Sequence, residues 1–178
     1  CDEKKLARLR KEFERTEERA EALVKPNELD EIYARNGAKG LNAYTSKDAT
    51  VYIVNLPANR VKLWVAMEAA RIREPVLRQF YRERNVVIEE LRRYDDNPNW
   101  RLQDAMPMLA FTAHPYRTPI IGWRSDLERM TRKDLEFFFR QYYRPDRAVL
   151  AAVGDVEPKA LLKLIKKEFS FWRAGTPP

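Results

Sequence analysis

Two glutamates seven residues apart, Glu83 and Glu90, form the part of this sequence with the clearest potential for chemistry. They lie in residues 76–94, which contain no proline or glycine and carry apolar side chains at helical spacing. On an α-helix this separation places both carboxylates on nearly the same face, two turns apart, while Glu89 points about a quarter-turn away. Two aligned carboxylates beside an apolar seam can provide a metal ligand and a supporting group that orients it or handles a proton.

The spacing alone also has a simpler interpretation. Glutamates on a basic helix are usually solvated and ion-paired. This stretch offers four arginines as partners, namely Arg82, Arg84, Arg92 and Arg93. Without further evidence, the pattern favours a surface stripe over a metal site.

The bulk composition predicts one globular domain, or part of one. The 178 residues are 44% apolar and 34% charged, which fits a soluble protein large enough to bury a core. No apolar run reaches the length of a membrane span, and no signal peptide is visible. The single cysteine, Cys1, excludes an internal disulfide and a cysteine-based zinc site.

The formal net charge of +7 raises the alternative of a basic nucleic-acid-binding domain. The 34 lysines and arginines are interspersed with 27 acidic residues, however, without a basic block or a glycine–aromatic RNA-binding signature. We interpret the excess as a mildly basic solvated surface and expect no nucleic-acid partner.

The first third of the chain predicts two helices and a hairpin. Residues 3–24 have a short heptad-like seam and predict a charged helical arm that ends at Pro26. A short helix at 27–36 follows, with Asn27 as its N-cap. The β-rich runs 37–46 and 49–57 then predict a hairpin that turns at Lys47-Asp48.

The remaining elements are predicted from apolar periodicity and from breakers. Helices are expected at 59–74, 76–94, 100–111, 131–143 and 157–169. Pro75 is expected in the first turn of the second of these, and Pro107 is expected to kink or split the third. Thr131 and Asp134 predict a capping box. The nearly all-apolar run 147–156 predicts a strand buried on both faces.

Four short motifs, in this order and spacing, resemble the insulinase/pitrilysin family of zinc peptidases, the inverted zincins. They are Asn42-Ala43-Tyr44-Thr45, the Glu83–Glu90 pair, His114-Pro115-Tyr116 and Val153-Gly154-Asp155. That family combines an H-x-x-E-H helix with a distant glutamate ligand, which a further glutamate seven residues earlier supports. The resemblance implies that Glu90 is a zinc ligand and that Glu83 supports it. It also implies that Asn42, Ala43 and Tyr44 hold the substrate, whose backbone is added to an edge strand; from the pattern alone they would be an ordinary hairpin strand.

The H-x-x-E-H motif itself is absent from this chain. The one histidine, His114, lies in a proline-rich loop, where we expect it to anchor the loop by a hydrogen bond rather than to bind a metal. The resemblance implies that an N-terminal portion precedes Cys1. That cysteine fits either a lipid-attached mature N-terminus or a truncation point, and the resemblance favours truncation.

The expected fold class is α+β, with an antiparallel or mixed sheet and helices packed mainly on one face. Residues 1–26 are expected to form a helical arm that belongs to an insertion. Residues 27–175 are expected to form an incomplete metallopeptidase-type domain, followed by a tail at 176–178.

The resemblance implies that the intact protein is a zinc metalloendopeptidase, whereas this chain alone is expected to be inactive and not to hold Zn²⁺. A non-catalytic homologous subunit or scaffold is the main alternative, against which the presence of both Glu83 and Glu90 argues. The expected partners are peptide substrates and a second family domain, from the same chain or from a partner subunit, with a homodimer as a further option. The expected location is the periplasm or another extracytoplasmic bacterial compartment.

Overall fold

α-Helices form most of the molecule, and a single β-hairpin lies near its start. The computed structural model describes residues 3–25 and 27–175, with only the backbone for residues 17 and 21. The helices are α1 (Glu3–Glu21), α2 (Glu28–Arg35), α3 (Val61–Arg73), α4 (Phe80–Asp95), α5 (Pro98–Ala110), α6 (Arg124–Arg129), α7 (Arg132–Tyr142) and α8 (Pro158–Glu168); the strands are β1 (Lys39–Thr45) and β2 (Thr50–Asn55). The predictions for Cys1, for Pro26 and for the tail 176–178 lie outside the described residues.

The two strands pair antiparallel in a two-stranded sheet. Asn42 lies opposite Ile53, and the register shifts between Lys39 and Asn42. At this irregularity Gly40 has a φ of 62°, a left-handed conformation that glycine adopts without a steric penalty. The predicted hairpin is confirmed, and so is the α+β class, although the sheet is small.

The buried core is centred on α3. Val65 and Ala69 of α3 are buried, and so is Tyr33 of α2, whose hydroxyl donates a hydrogen bond of 2.8 Å to Oε1 of Glu68. Helix α3 also packs against α8. A second group forms where α4 packs against α5 and α6, and Phe80 is buried at the start of α4.

Helix α1 contacts the rest of the chain through an aromatic pair. The rings of Phe13 and Tyr81 meet edge to face with centroids 5.1 Å apart. The leucines of the predicted seam, Leu6 and Leu9, are exposed. Within the described residues, no helix has both the length and the apolar content to cross a membrane.

Helix α4 begins later than the sequence predicts. Glu74 leaves the helical conformation with φ −134° and ψ 71°, as expected for a residue that precedes a proline. The chain does not re-enter a helix at Pro75; it turns first, and the amide of Phe80 donates to the carbonyl of Leu77 over 3.4 Å. Val76 is exposed, so no packing stabilises an earlier start.

The prediction for Pro107 is also wrong in one respect, because α5 is not split there. Pro107 lies in the last turn, three residues before the helix ends at Ala110. A proline so near the end removes one hydrogen bond without interrupting the helix before it.

The capping predictions differ in outcome. Thr131 and Asp134 form the predicted capping box at the start of α7. Asn27 does precede α2, but it has a left-handed conformation with φ 56°, and its side chain makes no cap hydrogen bond.

The prediction of a buried strand at 147–156 is wrong. Residues 148–153 form no regular secondary structure, and Val149 and Val153 are 97% and 101% exposed. A strand is stabilised by hydrogen bonds to a neighbouring strand, and within the described residues the sheet contains only β1 and β2. We refer to residues 148–153 as the apolar segment.

Candidate functional site

The two glutamates of the sequence motif both lie on α4, but only Glu90 lines a concavity. An open groove of about 650 Å³ runs along α4 to the start of α5. Its walls are formed by Arg82, Asn85, Val86, Glu89, Glu90, Arg93, Tyr94 and Trp100. Glu83 is exposed and lies towards the start of the helix, outside this lining.

Ion pairing distinguishes the three glutamates of α4. Glu89 accepts a charge-assisted hydrogen bond of 2.6 Å from Nη1 of Arg92. The side chains of Glu83 and Glu90 make no hydrogen bond or ion pair with any other side chain that the structure describes. The simpler interpretation of the sequence, in which arginines of the same helix neutralise these carboxylates, therefore holds for Glu89 alone.

Another arginine of this helix binds carbonyls instead of carboxylates. Nη1 of Arg84 donates to the carbonyl oxygens of Met130, at 3.1 Å, and Glu128, at 3.4 Å. These carbonyls lie at the end of α6, where the helix dipole attracts a cation. The contact fixes the start of α4 against α6 and keeps this guanidinium away from the motif glutamates.

The donor set of this chain fits part of a zinc site. Protein zinc sites use three or four ligands. Within residues 3–25 and 27–175, no group of three histidine, cysteine, aspartate or glutamate side chains converges to hold a metal. Glu90, an exposed carboxylate that makes no ion pair with any described side chain, fits one ligand position.

His114 anchors its own loop. Its Nδ1 accepts a hydrogen bond of 3.2 Å from the amide of Tyr116, and its ring packs at right angles to the Tyr116 ring with centroids 4.5 Å apart. The Phe111 ring lies 5.6 Å from the His114 ring. The predicted role as a loop anchor is confirmed.

Strand β1, which contains Asn42, Ala43 and Tyr44, lies at the edge of the sheet. One of its edges faces β2, and no described strand pairs with the other. All seven of its residues are exposed. Oδ1 of Asn42 accepts a hydrogen bond of 2.9 Å from the amide of Ala43, so this main-chain group has a local partner. Residues 41–45 thus lie on an edge strand, as the resemblance implies, and Ser46 follows the end of that strand.

Tyrosine hydroxyls anchor the middle of the hairpin on the helices. The hydroxyls of Tyr52, on β2, and Tyr143, just after α7, lie 2.6 Å apart. The guanidinium of Arg71 lies 4.1 Å from the centre of the Tyr52 ring. Burial, and next the hydrogen bond with Tyr52, raise the pKa of Tyr143 far above its ordinary value.

A second set of contacts holds the hairpin tip. The hydroxyl of Tyr116 donates to Oδ2 of Asp48 over 2.5 Å, and this hydrogen bond raises the pKa of Tyr116. Nζ of Lys47 donates to the carbonyl oxygen of Thr118. Sequence reasoning missed both contacts, because their partners are 68 and 71 residues apart and no periodic pattern links them.

Residues 13–123, more than half of the chain, match the sequence model of the insulinase family, peptidase family M16. The chain belongs to this family. Residues 129–178 match a second model, described as the peptidase M16 inactive domain.

Bacterial zinc proteases and a subunit of a mitochondrial-processing peptidase are similar to this chain in sequence. The zinc protease PqqE of Helicobacter pylori is 34% identical over 152 residues, which are 82% of this chain and 33% of that protein. The uncharacterized zinc protease Rv2782c of Mycobacterium tuberculosis is 33% identical over 131 residues, 72% of this chain and 30% of that protein. The probable mitochondrial-processing peptidase subunit beta of Schizosaccharomyces pombe is 30% identical over 141 residues, with coverages of 78% and 31%.

Solved structures of bacterial proteases share the fold. A protease from Helicobacter pylori superposes with a TM-score of 0.78 at 30% identity, over 88% of this chain and 38% of that structure. The first half of the periplasmic protease PqqL from Escherichia coli gives a TM-score of 0.70 at 25% identity, over 85% and 34%. The chain thus spans about a third of the length of the curated relatives that it matches.

Proposed function

We propose that this chain is the part of an M16 zinc metalloendopeptidase that supplies one zinc ligand, Glu90, and the strand that holds the peptide, β1. One observation carries the assignment of Glu90. Among the three glutamates of α4, it alone both lines the groove and has no partner among the described residues. A metal ligand needs a carboxylate oxygen that no other group already engages, and Arg92 engages the carboxylate of Glu89.

Glu83 is proposed to support this ligand. It lies two turns before Glu90 on the same helix, and its carboxylate is likewise without a partner in the described chain. Carboxylates near a metal ligand orient it and tune its basicity. Zinc, when bound, would polarise the scissile carbonyl and a water molecule.

Asn42, Ala43 and Tyr44 are proposed to bind the peptide through their main chain. An extended peptide can add to the unpaired edge of β1 as a further strand. Main-chain hydrogen bonds do not depend on side-chain identity, so this mode accepts varied sequences. If the peptide needs the main-chain N–H of Ala43 as a donor, the side chain of Asn42 would have to release it.

The remaining parts of the active site are proposed to come from other parts of the intact protein. The other zinc ligands, the general base and the rest of the second family domain are assigned to those parts, because the described residues contain no group of three side chains that could hold a metal and the chain spans a third of its relatives. This chain alone is therefore proposed to be inactive. An extracytoplasmic location is proposed from its similarity to PqqL, a periplasmic protease.

The Glu90→Gln variant of the intact protein tests the assignment. It removes the charge and retains the size, so we expect bound zinc and peptidase activity both to fall by more than about tenfold, since even supporting groups contribute that much. Glu136→Gln is the matched control, because Glu136 lies on α7 and pairs with Arg132 at 2.8 Å. Full zinc content and activity in Glu90→Gln would remove Glu90 from the site.

A non-catalytic M16 subunit is the second candidate. The match of residues 129–178 to a domain described as inactive favours it. In that case the unmodified intact protein would bind no stoichiometric zinc and cleave no peptide.

A further inference from the structure

We propose that Tyr116, through its hydrogen bond to Asp48, is a positioning residue that fixes the tip of the β1–β2 hairpin relative to the α4–α5 helix pair that carries Glu90. The proposal rests on the proposed function, because β1 is the strand on which the peptide would be held. In this proposal Tyr116 contacts neither zinc nor peptide. It sets the position of β1, which would bind the peptide, relative to Glu90, which would bind zinc.

The tether joins the hairpin turn to a distant loop at two adjacent points. Tyr116 donates to the carboxylate of Asp48 over 2.5 Å, and Lys47 donates to the carbonyl of Thr118. Two contacts from neighbouring turn residues prevent rotation of the tip as well as translation. An acceptor that carries charge makes the Tyr116 contact stronger than a neutral hydrogen bond.

The loop at residues 111–118, which contains Tyr116, is rigid enough to act as a fixed support. Nδ1 of His114 holds the amide of Tyr116, and the rings of Phe111 and His114 both pack edge-on against the Tyr116 ring. Nη1 of Arg117 donates to the carbonyl of Thr112 over 3.1 Å and closes the loop on itself. Pro115 further restricts the backbone between them.

The loop that contains Tyr116 is connected to the groove of Glu90 through α5. The 3₁₀ turn Pro115–Arg117 packs against α5, and α5 packs against α4. Trp100 at the start of α5 lines the same groove as Glu90. A continuous set of packed elements therefore connects Asp48, in the turn between β1 and β2, with the proposed ligand.

Without this tether the hairpin would be held mainly at its middle, through Tyr52 and Tyr143. A two-stranded hairpin is barely stable alone, and its tip would fluctuate about that anchor. A peptide that binds a fluctuating strand must also immobilise it, which weakens binding. The hydroxyl of Tyr116 thus lowers the cost of peptide binding without taking part in the chemical step.

The intact protein with single and combined substitutions provides the test. Tyr116→Phe retains the ring contacts and removes only the hydroxyl, and Asp48→Ala removes the acceptor. We expect either change to raise KM for a peptide about three- to tenfold, with kcat nearly unchanged, as the loss of one hydrogen bond implies. Amide hydrogen exchange within residues 41–46 should accelerate by a similar factor.

Two comparisons separate positioning from a general structural effect. The double variant should be no worse than either single one, because both remove the same contact. Asp48→Asn retains an acceptor oxygen but removes its charge, so its effect should lie between that of the parent protein and that of Asp48→Ala. Tyr142→Phe, a hydroxyl removed from an exposed ring on α7, is the matched control and should alter neither KM nor exchange.

The proposal is overturned if exchange at residues 41–46 in Tyr116→Phe equals that in the Tyr142→Phe control, or if the effects of Tyr116→Phe and Asp48→Ala add. An intact protein without peptidase activity would refute the proposed function instead. The exchange measurement needs no activity, so it would still decide whether Tyr116 positions the hairpin.

Discussion

At the scale of single residues, neighbouring side chains of the same type have different roles because they have different partners. Glu89 and Glu90 are adjacent on α4, yet Arg92 engages one and no described side chain engages the other. Sequence spacing identified Glu83 and Glu90 as a pair. It could not show that Glu90 lines a groove and Glu83 does not, because that depends on α5 and Trp100.

Thr131→Ala should lower the free energy of unfolding by about 1 kcal/mol at neutral pH, the usual contribution of an N-cap. The hydroxyl and amide of Thr131 both donate to Asp134, at 2.6 and 2.8 Å, and the hydroxyl bond followed by the amide bond lowers the pKa of Asp134. A lowered carboxylate pKa stabilises the fold at higher pH, and this contribution is lost as the pH falls below about 4.

Urea denaturation at pH 7 and near pH 3 measures this effect. The difference between Thr131→Ala and the parent protein should shrink in acid. Thr112→Ala, a threonine outside the helices, is the matched control. An equally large difference at both pH values would contradict the role of the ionised Asp134.

At the scale of elements, tyrosines connect the hairpin and α2 to the helices. Tyr33 donates to Glu68 on α3, and Tyr143 joins Tyr52 on β2. For both Tyr33 and Tyr143, burial is the main cause of a strongly raised pKa, and the hydrogen bond adds to it. These contacts join elements far apart in the chain, so they hold the hairpin on the helices where its own two strands would not suffice.

Alkaline titration should show two tyrosines that ionise only well above the ordinary range. A raised tyrosine pKa favours the neutral form, so its stabilising contribution is complete below about pH 10 and is lost as the pH rises beyond that. Tyrosinate absorbance measures the steps. Tyr143→Phe should remove one late-ionising group, whereas Tyr142→Phe should retain both. A single step near pH 10 that includes all eight tyrosines would show that neither is protected.

At the scale of the whole molecule, some local signals of the sequence predicted the structure well, whereas the signals that depend on distant residues did not. The capping box at Thr131 and the hairpin at Lys47-Asp48 depend on a few neighbouring residues, and both formed as predicted. The apolar segment did not become a strand, because apolar composition predicts burial but cannot supply the pairing partner. The Tyr116–Asp48 contact was missed for the same reason.

Zinc titrated into this chain should reveal no one-to-one site of sub-micromolar affinity. The described residues provide Glu90, with Glu83 nearby, and one or two carboxylates bind zinc weakly. Calorimetry measures the affinity, and the intact protein is the positive control. A tight site, or chelator-sensitive peptide cleavage by these 178 residues, would show that the ligand set is misassigned.

The exposed edge of β1 also determines how the sequence of this strand can change over evolutionary time. All seven residues of β1 are exposed, so most substitutions there alter neither packing nor the main-chain groups along the edge. Three cases are exceptions: a proline lacks the amide hydrogen, a replacement of Gly40 must adopt a left-handed φ, and a replacement of Asn42 removes the acceptor of the Ala43 amide. The main-chain hydrogen-bonding groups along the edge of β1 therefore persist through most changes of its sequence. Mutation can diversify the side chains of β1 while the groups to which a peptide would bind are retained.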